Sequence, residues 1–140
     1  LTYIGMDITF PSSQIPYDGQ ALTAPIRYNL PEAAQRAKIY IFDKDGNQVR
    51  IDDAPTARGD RTYLWDGKDS AGVRLPAGQY QFAIDAINSA DQRIEALSTG
   101  SATVAGVETR NGDIYLTTTG GDSIKLENIL SVRERTQQPT

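Results

Sequence analysis

One stretch decides the fold of this chain: Trp65 to Phe82, which reads WDGKDSAGVRLPAGQYQF. It begins with the only tryptophan and continues through a polar turn that contains two glycines. A Pro-x-Gly corner follows, and after it apolar and polar residues alternate as in a strand. From Tyr80 to Ile87, apolar side chains fall on one face and mostly polar ones on the other, a period of two that is typical of a half-buried β-strand. The stretch therefore predicts a β-hairpin anchored by a tryptophan, and by itself it indicates no chemistry.

The rest of the chain is also organised as short strands. Alternating runs such as Ile4 to Phe10 are separated by turn signals, of which Asp45-Gly46 and Asn111-Gly112 are the strongest. We expect a turn at 16–19 and a loop over 52–61. No segment keeps a helical period over three turns. The middle has about seven strand candidates, enough for one sandwich, and the C-terminal part has about four, enough for an incomplete barrel that borrows the first strand.

Composition excludes several classes of function. The 140 residues carry a formal charge of −4, and the 14 basic residues are scattered, so we expect no nucleic-acid partner. Cysteine and histidine are absent, which excludes disulfides, thiolate chemistry, a Ser-His-Asp triad and imidazole-bound zinc. No apolar run approaches the ~18–20 residues of a membrane span, so we expect no membrane insertion. We predict no cofactor, no metal site and no catalytic residues.

Three acidic motifs invite a functional interpretation, and each has a simpler structural one. Asp43-x-Asp45-x-Asn47 begins like a calcium loop, but Gln48 and Ala54 stand where the EF-hand pattern needs Gly and Glu, so a plain hairpin is favoured. Asp66 and Asp69 could hold a hard cation, although Asx-turn capping explains them. Arg58-Gly59-Asp60 matches a tripeptide recognised by some adhesion receptors, and we attribute it to chance.

Two blocks of the sequence carry a family resemblance. The first contains Trp65, Asp66, Gly67, Gly72, Pro76, Gly78 and Tyr80. The second contains Val104 to Val107, Asn111-Gly112, Ile114 to Leu116 and Ile124 to Val132, with Tyr3-Ile4-Gly5 as an entry strand. In this order they resemble the FlgD family of flagellar hook-capping proteins, whose immunoglobulin/fibronectin-like domain carries the first block and whose C-terminal Tudor-like barrel carries the second.

The resemblance implies an all-β fold, with an immunoglobulin/fibronectin type III-like sandwich inserted into a small Tudor-like (SH3-like) barrel. We expect residues 1–20 and 96–135 to form the discontinuous barrel, 21–95 the sandwich, and 136–140 a disordered tail. Because the chain starts at Leu1 rather than methionine, we also expect it to lack the family's N-terminal region.

The resemblance further implies a scaffolding cap for bacterial flagellar hook assembly, not an enzyme. Its partners would be flagellar hook protein subunits, and the full-length protein would associate with itself into a ring. The protein would be exported to the hook tip and be extracellular there. Tyr17, Tyr40 and Tyr63 are the candidate contact residues, because tyrosine is enriched at interfaces, although each could instead pack into the core or its rim.

Other functions remain open from the sequence. Immunoglobulin-like folds host many activities, so a carbohydrate-binding or adhesion module of a secreted protein is the main alternative. Exposed aromatic side chains in a row would favour that interpretation. A hydrolase is the weakest class, because the sequence places no two carboxylates so that they can be paired across a cleft.

Overall fold

The computed structural model describes residues 2–20 and 24–135. They fall into two compact units, Leu1–Pro11 with Gly100–Thr140 and Ser12–Thr99. The strands, in chain order, are β1 (Asp7–Pro11), β2 (Gln14–Tyr17), β3 (Ala24–Leu30), β4 (Arg36–Phe42), β5 (Gln48–Asp53), β6 (Gly59–Trp65), β7 (Gly78–Ile87), β8 (Arg93–Ile94), β9 (Leu97–Arg110), β10 (Asp113–Thr118), β11 (Ser123–Lys125) and β12 (Ser131–Arg133). A 3₁₀ turn covers Leu126–Asn128. The predicted tail at 136–140 and the predicted sandwich start at residue 21 lie outside the described residues.

The unit Ser12–Thr99 is an immunoglobulin-like sandwich of two antiparallel sheets. One sheet has the order β2-β7-β4-β5, with β8 also paired to β7, and the other pairs β6 with β3 and β3 with the start of β9. Burial alternates along the strands: in β3 the side chains of Ala24, Ile26, Tyr28 and Leu30 are buried. Each sheet thus has one apolar face, and the two faces make the core.

The central strand β7 agrees with the prediction from its alternation. Tyr80, Phe82 and Ala86 are buried and Ile84 is half-buried, whereas Gln81 and Asp85 on the other face are exposed. Burial of every second side chain is what a two-residue period requires. The strand is paired on both sides, with β4 along one edge and with β2 and β8 along the other.

Two local predictions are corrected by the pairing. The expected turn at 16–19 contains the end of β2, which is hydrogen-bonded to β7. This strand belongs to the sandwich unit, whereas residues 1–20 were expected in the barrel. Pro16 is tolerated because β2 is paired on one side only among the described residues. The expected loop over 52–61 is shorter, because β6 already begins at Gly59 and pairs there with Leu30.

The other unit is a small half-barrel with the strand order β11-β10-β9-β1-β12. Its core consists of Ile8, Phe10, Val104 and Leu116. Asn111 and Gly112 have φ of 52° and 85°, the two positive values that a type I′ hairpin turn requires, as predicted. The first strand begins only at Asp7, so Ile4, which was expected inside it, lies before the strand and is exposed.

No helix among the described residues is long and apolar enough to cross a membrane.

Candidate functional site

Trp65 is the last residue of β6 and lies at the centre of an aromatic cluster. Its side chain is fully buried, and its ring centroid lies 5.1 Å from those of Tyr17 and Tyr80, which are themselves 5.9 Å apart. The indole Nε1–H donates to the carbonyl of Lys68 at 3.0 Å. Aromatic pairs at these distances stabilise a core beyond the area that they bury. The tryptophan is therefore a structural anchor with its polar atom satisfied.

The rest of the motif fits around this cluster. Gly67 has φ of 77°, and a Cβ at this position would lie 2.3 Å from the Tyr17 hydroxyl oxygen, so no other residue fits without displacing that ring. The hydroxyl of Tyr80 donates to the carbonyl of Pro76 at 2.6 Å, which fixes the corner before β7. Arg74 Nη1 donates to the Tyr17 hydroxyl at 2.9 Å. These contacts give the motif residues a role in folding.

A charged network holds the loop after Trp65 against β5. Arg50 Nη1 donates to Asp66 Oδ1 at 3.0 Å and to the carbonyl of Lys68 at 3.1 Å, while Nη2 lies 3.3 Å from Asp52 Oδ2. The hydroxyl of Tyr63 donates to the same Asp52 oxygen at 2.7 Å. This hydrogen bond lowers the pKa of Asp52. Burial, together with the bond to Asp52, raises the pKa of Tyr63 to about 12.

The carboxylates that could have held a cation are used by their own loops. Asp69 Oδ1 accepts the amides of Ala71 and Val73, both at 2.9 Å, and Asp43 Oδ1 accepts those of Asp45 and Asn47 at the same distance. The amide of Asn47 is the main cause of a lowered pKa of Asp43. In the part of the chain that the structure describes, no three acidic side chains come together as a metal site.

One loop design occurs four times among the described residues, and the sequence patterns above do not predict it. The loops start at Asp43, Asp69, Asn88 and Thr118. In each loop, the backbone amide of the first residue donates to the carbonyl of the fifth residue. The side-chain oxygen of the first residue accepts the backbone amide of the fifth. The fourth position always has positive φ, as Gly46, Gly72, Asp91 or Gly121. An Asx or Thr residue three positions before Gly is the signal that could have identified three of them, whereas the Asn88 loop has Asp91 at that position.

The three tyrosine candidates lie in different environments. Tyr17 is buried in the aromatic cluster, and Tyr63 is half-buried with its hydroxyl bonded to Asp52. Tyr40 lies on the outward face of β4, since its neighbours Ile39 and Ile41 point into the core. There it stands in register between Ile51 of β5 and Ala83 of β7, two exposed residues. The structure does not bring the three tyrosines together as one surface.

The adhesion-like tripeptide is part of a sheet. Gly59 and Asp60 are the first residues of β6, and Asp60 Oδ1 accepts a hydrogen bond from Asn29 Nδ2 at 2.9 Å on the neighbouring strand. A strand held in this way does not present the tripeptide at the tip of a loop.

The fold and the motif together define a class of two-domain β proteins, in which an immunoglobulin-like sandwich with a buried Trp-Tyr-Tyr cluster interrupts a small barrel. The model of the FlgD Ig-like domain matches residues 12–90. The chain belongs to the FlgD family.

Individual relatives agree with this family. The basal-body rod modification protein FlgD of Salmonella typhimurium strain LT2 is 37% identical over 73 residues, which are 51% of this chain and 32% of that protein. The chain thus spans about a third of the length of the curated relatives that it matches. The crystal structure of FlgD from Xanthomonas campestris has a TM-score of 0.70 at 26% identity and covers 93% of this chain and 94% of its own. FlgD from P. aeruginosa, with a TM-score of 0.76 at 24% identity, shares the fold over 94% of this chain and 98% of its own.

Proposed function

We propose that this chain is the folded core of a hook-capping scaffold, which guides hook subunits into place at the distal end of the growing bacterial flagellar hook. The observation that carries the proposal is the agreement of both units, over 93% of this chain, with the Xanthomonas FlgD structure, which is described as giving insights into the hook capping essential for flagellar assembly. The name of the Salmonella relative, a basal-body rod modification protein, supports a flagellar role.

In this proposal the protein acts through contacts and not through catalysis or a cofactor. Its partners are hook subunits, and full-length copies associate into a ring at the hook tip, outside the cell after export. The carboxylates of Asp52, Asp66 and Asp69 serve loop capping, ion pairing and hydrogen bonding within the sandwich, which supports a structural role for them. The comparisons do not support the carbohydrate-binding or adhesion module that the sequence left open.

We propose Tyr40 as the residue of the three tyrosines that contacts a hook subunit. It stands on a solvent-facing sheet surface between two exposed apolar residues, whereas Tyr17 and Tyr63 are occupied by contacts within the sandwich. Interfaces favour a half-buried tyrosine that offers an apolar ring together with a polar hydroxyl group.

A complementation assay tests the function. The gene for the full-length parent protein is deleted, and the strain is complemented with the parent protein carrying Tyr40→Ala or, as a matched control, Leu64→Ala, which removes an exposed apolar side chain from the other sheet. We expect hook completion, counted by electron microscopy, to fall with Tyr40→Ala and to be retained with Leu64→Ala. Normal hooks in the deletion strain would overturn the function, and equal behaviour of the two variants would remove Tyr40 as a contact.

A third variant separates loss of contact from loss of folding. Trp65→Ala empties the centre of the aromatic cluster and should cost about 3–5 kcal/mol of stability through the cavity that it leaves. We expect its loss of hook assembly to accompany a lowered thermal midpoint of the purified protein. If Trp65→Ala kept the midpoint and still abolished capping, Trp65 would be a contact residue and not an anchor.

A further inference from the structure

Three backbone groups on the outer edge of β5 have hydrogen-bond partners, although no strand lies there among the described residues. β5 pairs with β4 on one side. On the other side the carbonyl of Val49 accepts the Ser70 amide at 3.0 Å, and the amide of Ile51 donates to Ser70 Oγ at 3.2 Å. The next amide along this edge, that of Asp53, donates to the Asp52 carboxylate at 2.9 Å. Ser70 thus takes the place that a residue of a neighbouring strand would occupy.

The contact between Ser70 and β5 is not a general feature of the four similar loops. Ser70 is the second residue of the loop that starts at Asp69, and Ser89 is the second residue of the loop that starts at Asn88. Within the described residues Ser89 forms no hydrogen bond to a strand edge, whereas Ser70 forms two. The loop design alone therefore does not require the contact with β5.

The loop is held over the edge by the charged network of Arg50 and by the two hydrogen bonds of Ser70. Arg50 on β5 binds the loop through the carbonyl of Lys68 and the carboxylate of Asp66. Ser70 itself is exposed, and the surface between the loop and β5 is an open depression. The two Arg50 bonds are partly buried, whereas the bond from the Ile51 amide to Ser70 Oγ is exposed, and exposed hydrogen bonds can open locally without unfolding the core.

The edge under the loop is complementary to itself. In an antiparallel pairing of two copies centred on Ile51, Ile51 would face Ile51 of the second copy, and Arg50 would face Asp52 of the second copy. Opposite charges and apolar pairs in these positions favour strand pairing. The outward apolar row that runs from Ala83 through Tyr40 to Ile51 would continue into the second copy.

We infer that Ser70 is an edge cap: it blocks the pairing of β5 with β5 of a second copy of this chain, and opening of the loop exposes an antiparallel, self-complementary interface. Free strand edges are templates for association, and folded proteins commonly block them. This inference rests on the contacts of β5 alone and is independent of the proposed function.

Ser70→Pro removes both hydrogen bonds of the edge cap, since proline has neither the amide N–H nor the hydroxyl. Ser70 is the second residue of a turn closed by the Gly72 amide and the Asp69 carbonyl, a position that proline favours. Ser89→Pro is the matched control, because Ser89 holds the same position in the turn closed by Asp91 and Asn88. The 140-residue chain and both variants are compared by sedimentation equilibrium, with circular dichroism as the test of folding.

Ser70→Pro should associate with itself roughly tenfold or more tightly than the unaltered chain and Ser89→Pro, because the two competing hydrogen bonds are gone. Amide exchange at Ile51 should be faster in the dilute variant and slow again on association. Adding Ile51→Lys should restore the original association, since a charge at the pairing centre disfavours the edge contact.

Other results would overturn the inference. Unchanged association with fast exchange at Ile51 would mean that the freed edge does not pair, and unchanged exchange would mean that Ser70 does not protect it. Association that survives Ile51→Lys would place the interface elsewhere. If Ser70→Pro does not fold, Ser70→Ala decides: it removes only the hydroxyl and should raise both exchange and association, and no change in either would reject the edge cap.

Discussion

Gly67 is a residue at which the aromatic cluster leaves no room for a side chain. Its φ of 77° strains any side chain, and a Cβ would overlap the Tyr17 ring. We expect Gly67→Ala to cost about 2–5 kcal/mol, the sum of the backbone strain and the displacement of a packed ring. Gly46→Ala is the control, since φ there is 85° and nothing lies within 4 Å, so only about 1–2 kcal/mol of strain should remain. Equal losses in urea unfolding would contradict the ring contact.

The Tyr63–Asp52 hydrogen bond should make stability depend on pH. The pKa of Asp52 is lowered in the folded protein, so its contribution is present above the ordinary carboxyl range near ~4 and is lost as the pH falls through the folded value. The pKa of Tyr63 is raised from 10.0 to about 12, so its contribution is present below pH 10 and is lost as the pH rises toward 12. The sign for Asp52 follows from its bond to the neutral phenol, whereas the sign for Tyr63 follows first from burial of the phenol and then from the same bond.

Tyr63→Phe tests this bond directly. At pH 7 we expect a loss of about 1 kcal/mol, since the partner carboxylate is partly exposed to solvent. The loss should shrink near pH 3, as measured by urea unfolding at both pH values. Tyr28→Phe is the control, because its hydroxyl donates to the carbonyl of Pro55, which does not titrate, so its cost should be the same at both. A Tyr63→Phe effect that is independent of pH would be evidence against a charged acceptor.

Among the structural elements, the four similar loops depend on an acceptor oxygen rather than on a charge. Asn88 Oδ1 accepts the amides of Ala90 and Gln92 at 2.9 and 3.0 Å, as Asp69 Oδ1 accepts two amides in its own loop. We therefore expect Asn88→Ala to cost about 1 kcal/mol, the usual effect of removing such a cap. Asp69→Asn keeps an acceptor and should change stability by less than half as much. Equal losses in thermal unfolding would mean that the charge of Asp69 matters.

The strands with clear alternation could be predicted from the sequence, and those without it could not. β7 was recognised because Tyr80, Phe82 and Ala86 repeat every second residue, and burial follows the same period. β2 was missed because Pro16 signals a turn, and only the pairing with β7 shows that the proline lies in an edge strand. The start of β1 was misplaced because Ile4 is apolar, yet nothing in the local pattern shows that it is exposed.

For the site, the sequence identified the motif but not the contacts that explain it. The proximity of Tyr17, Trp65 and Tyr80 joins positions that are far apart in the chain, so no local pattern could predict it. The same limit applies to the tyrosines, because composition cannot distinguish the buried Tyr17 from the outward-facing Tyr40. The role of Ser70 depends on its contact with the outer edge of β5, which no local sequence pattern reveals.

In the molecule as a whole, each unit has its own core. The sandwich core is built from residues between Ile15 and Ile94, all within one continuous segment. The barrel core needs two segments, because Ile8 and Phe10 come from the first and Val104 and Leu116 from the last. Residues 12–99 therefore contain a complete core, whereas 100–140 contain two of the four buried residues that form the barrel core.

This division predicts different behaviour for the two fragments. Residues 12–99 expressed alone should fold, with dispersed amide signals in an NMR spectrum and cooperative thermal unfolding, because one segment supplies both sheets of the sandwich. Residues 100–140 alone should remain unfolded, since without β1 the buried side of Val104 and Leu116 faces water and β12 has lost the strand to which it pairs. Adding a peptide of residues 1–11 should restore part of the barrel signal, and the same peptide with Ile8→Asp should not. A folded 100–140 fragment would show that the first strand is dispensable, and the barrel core would then have to close around its own residues.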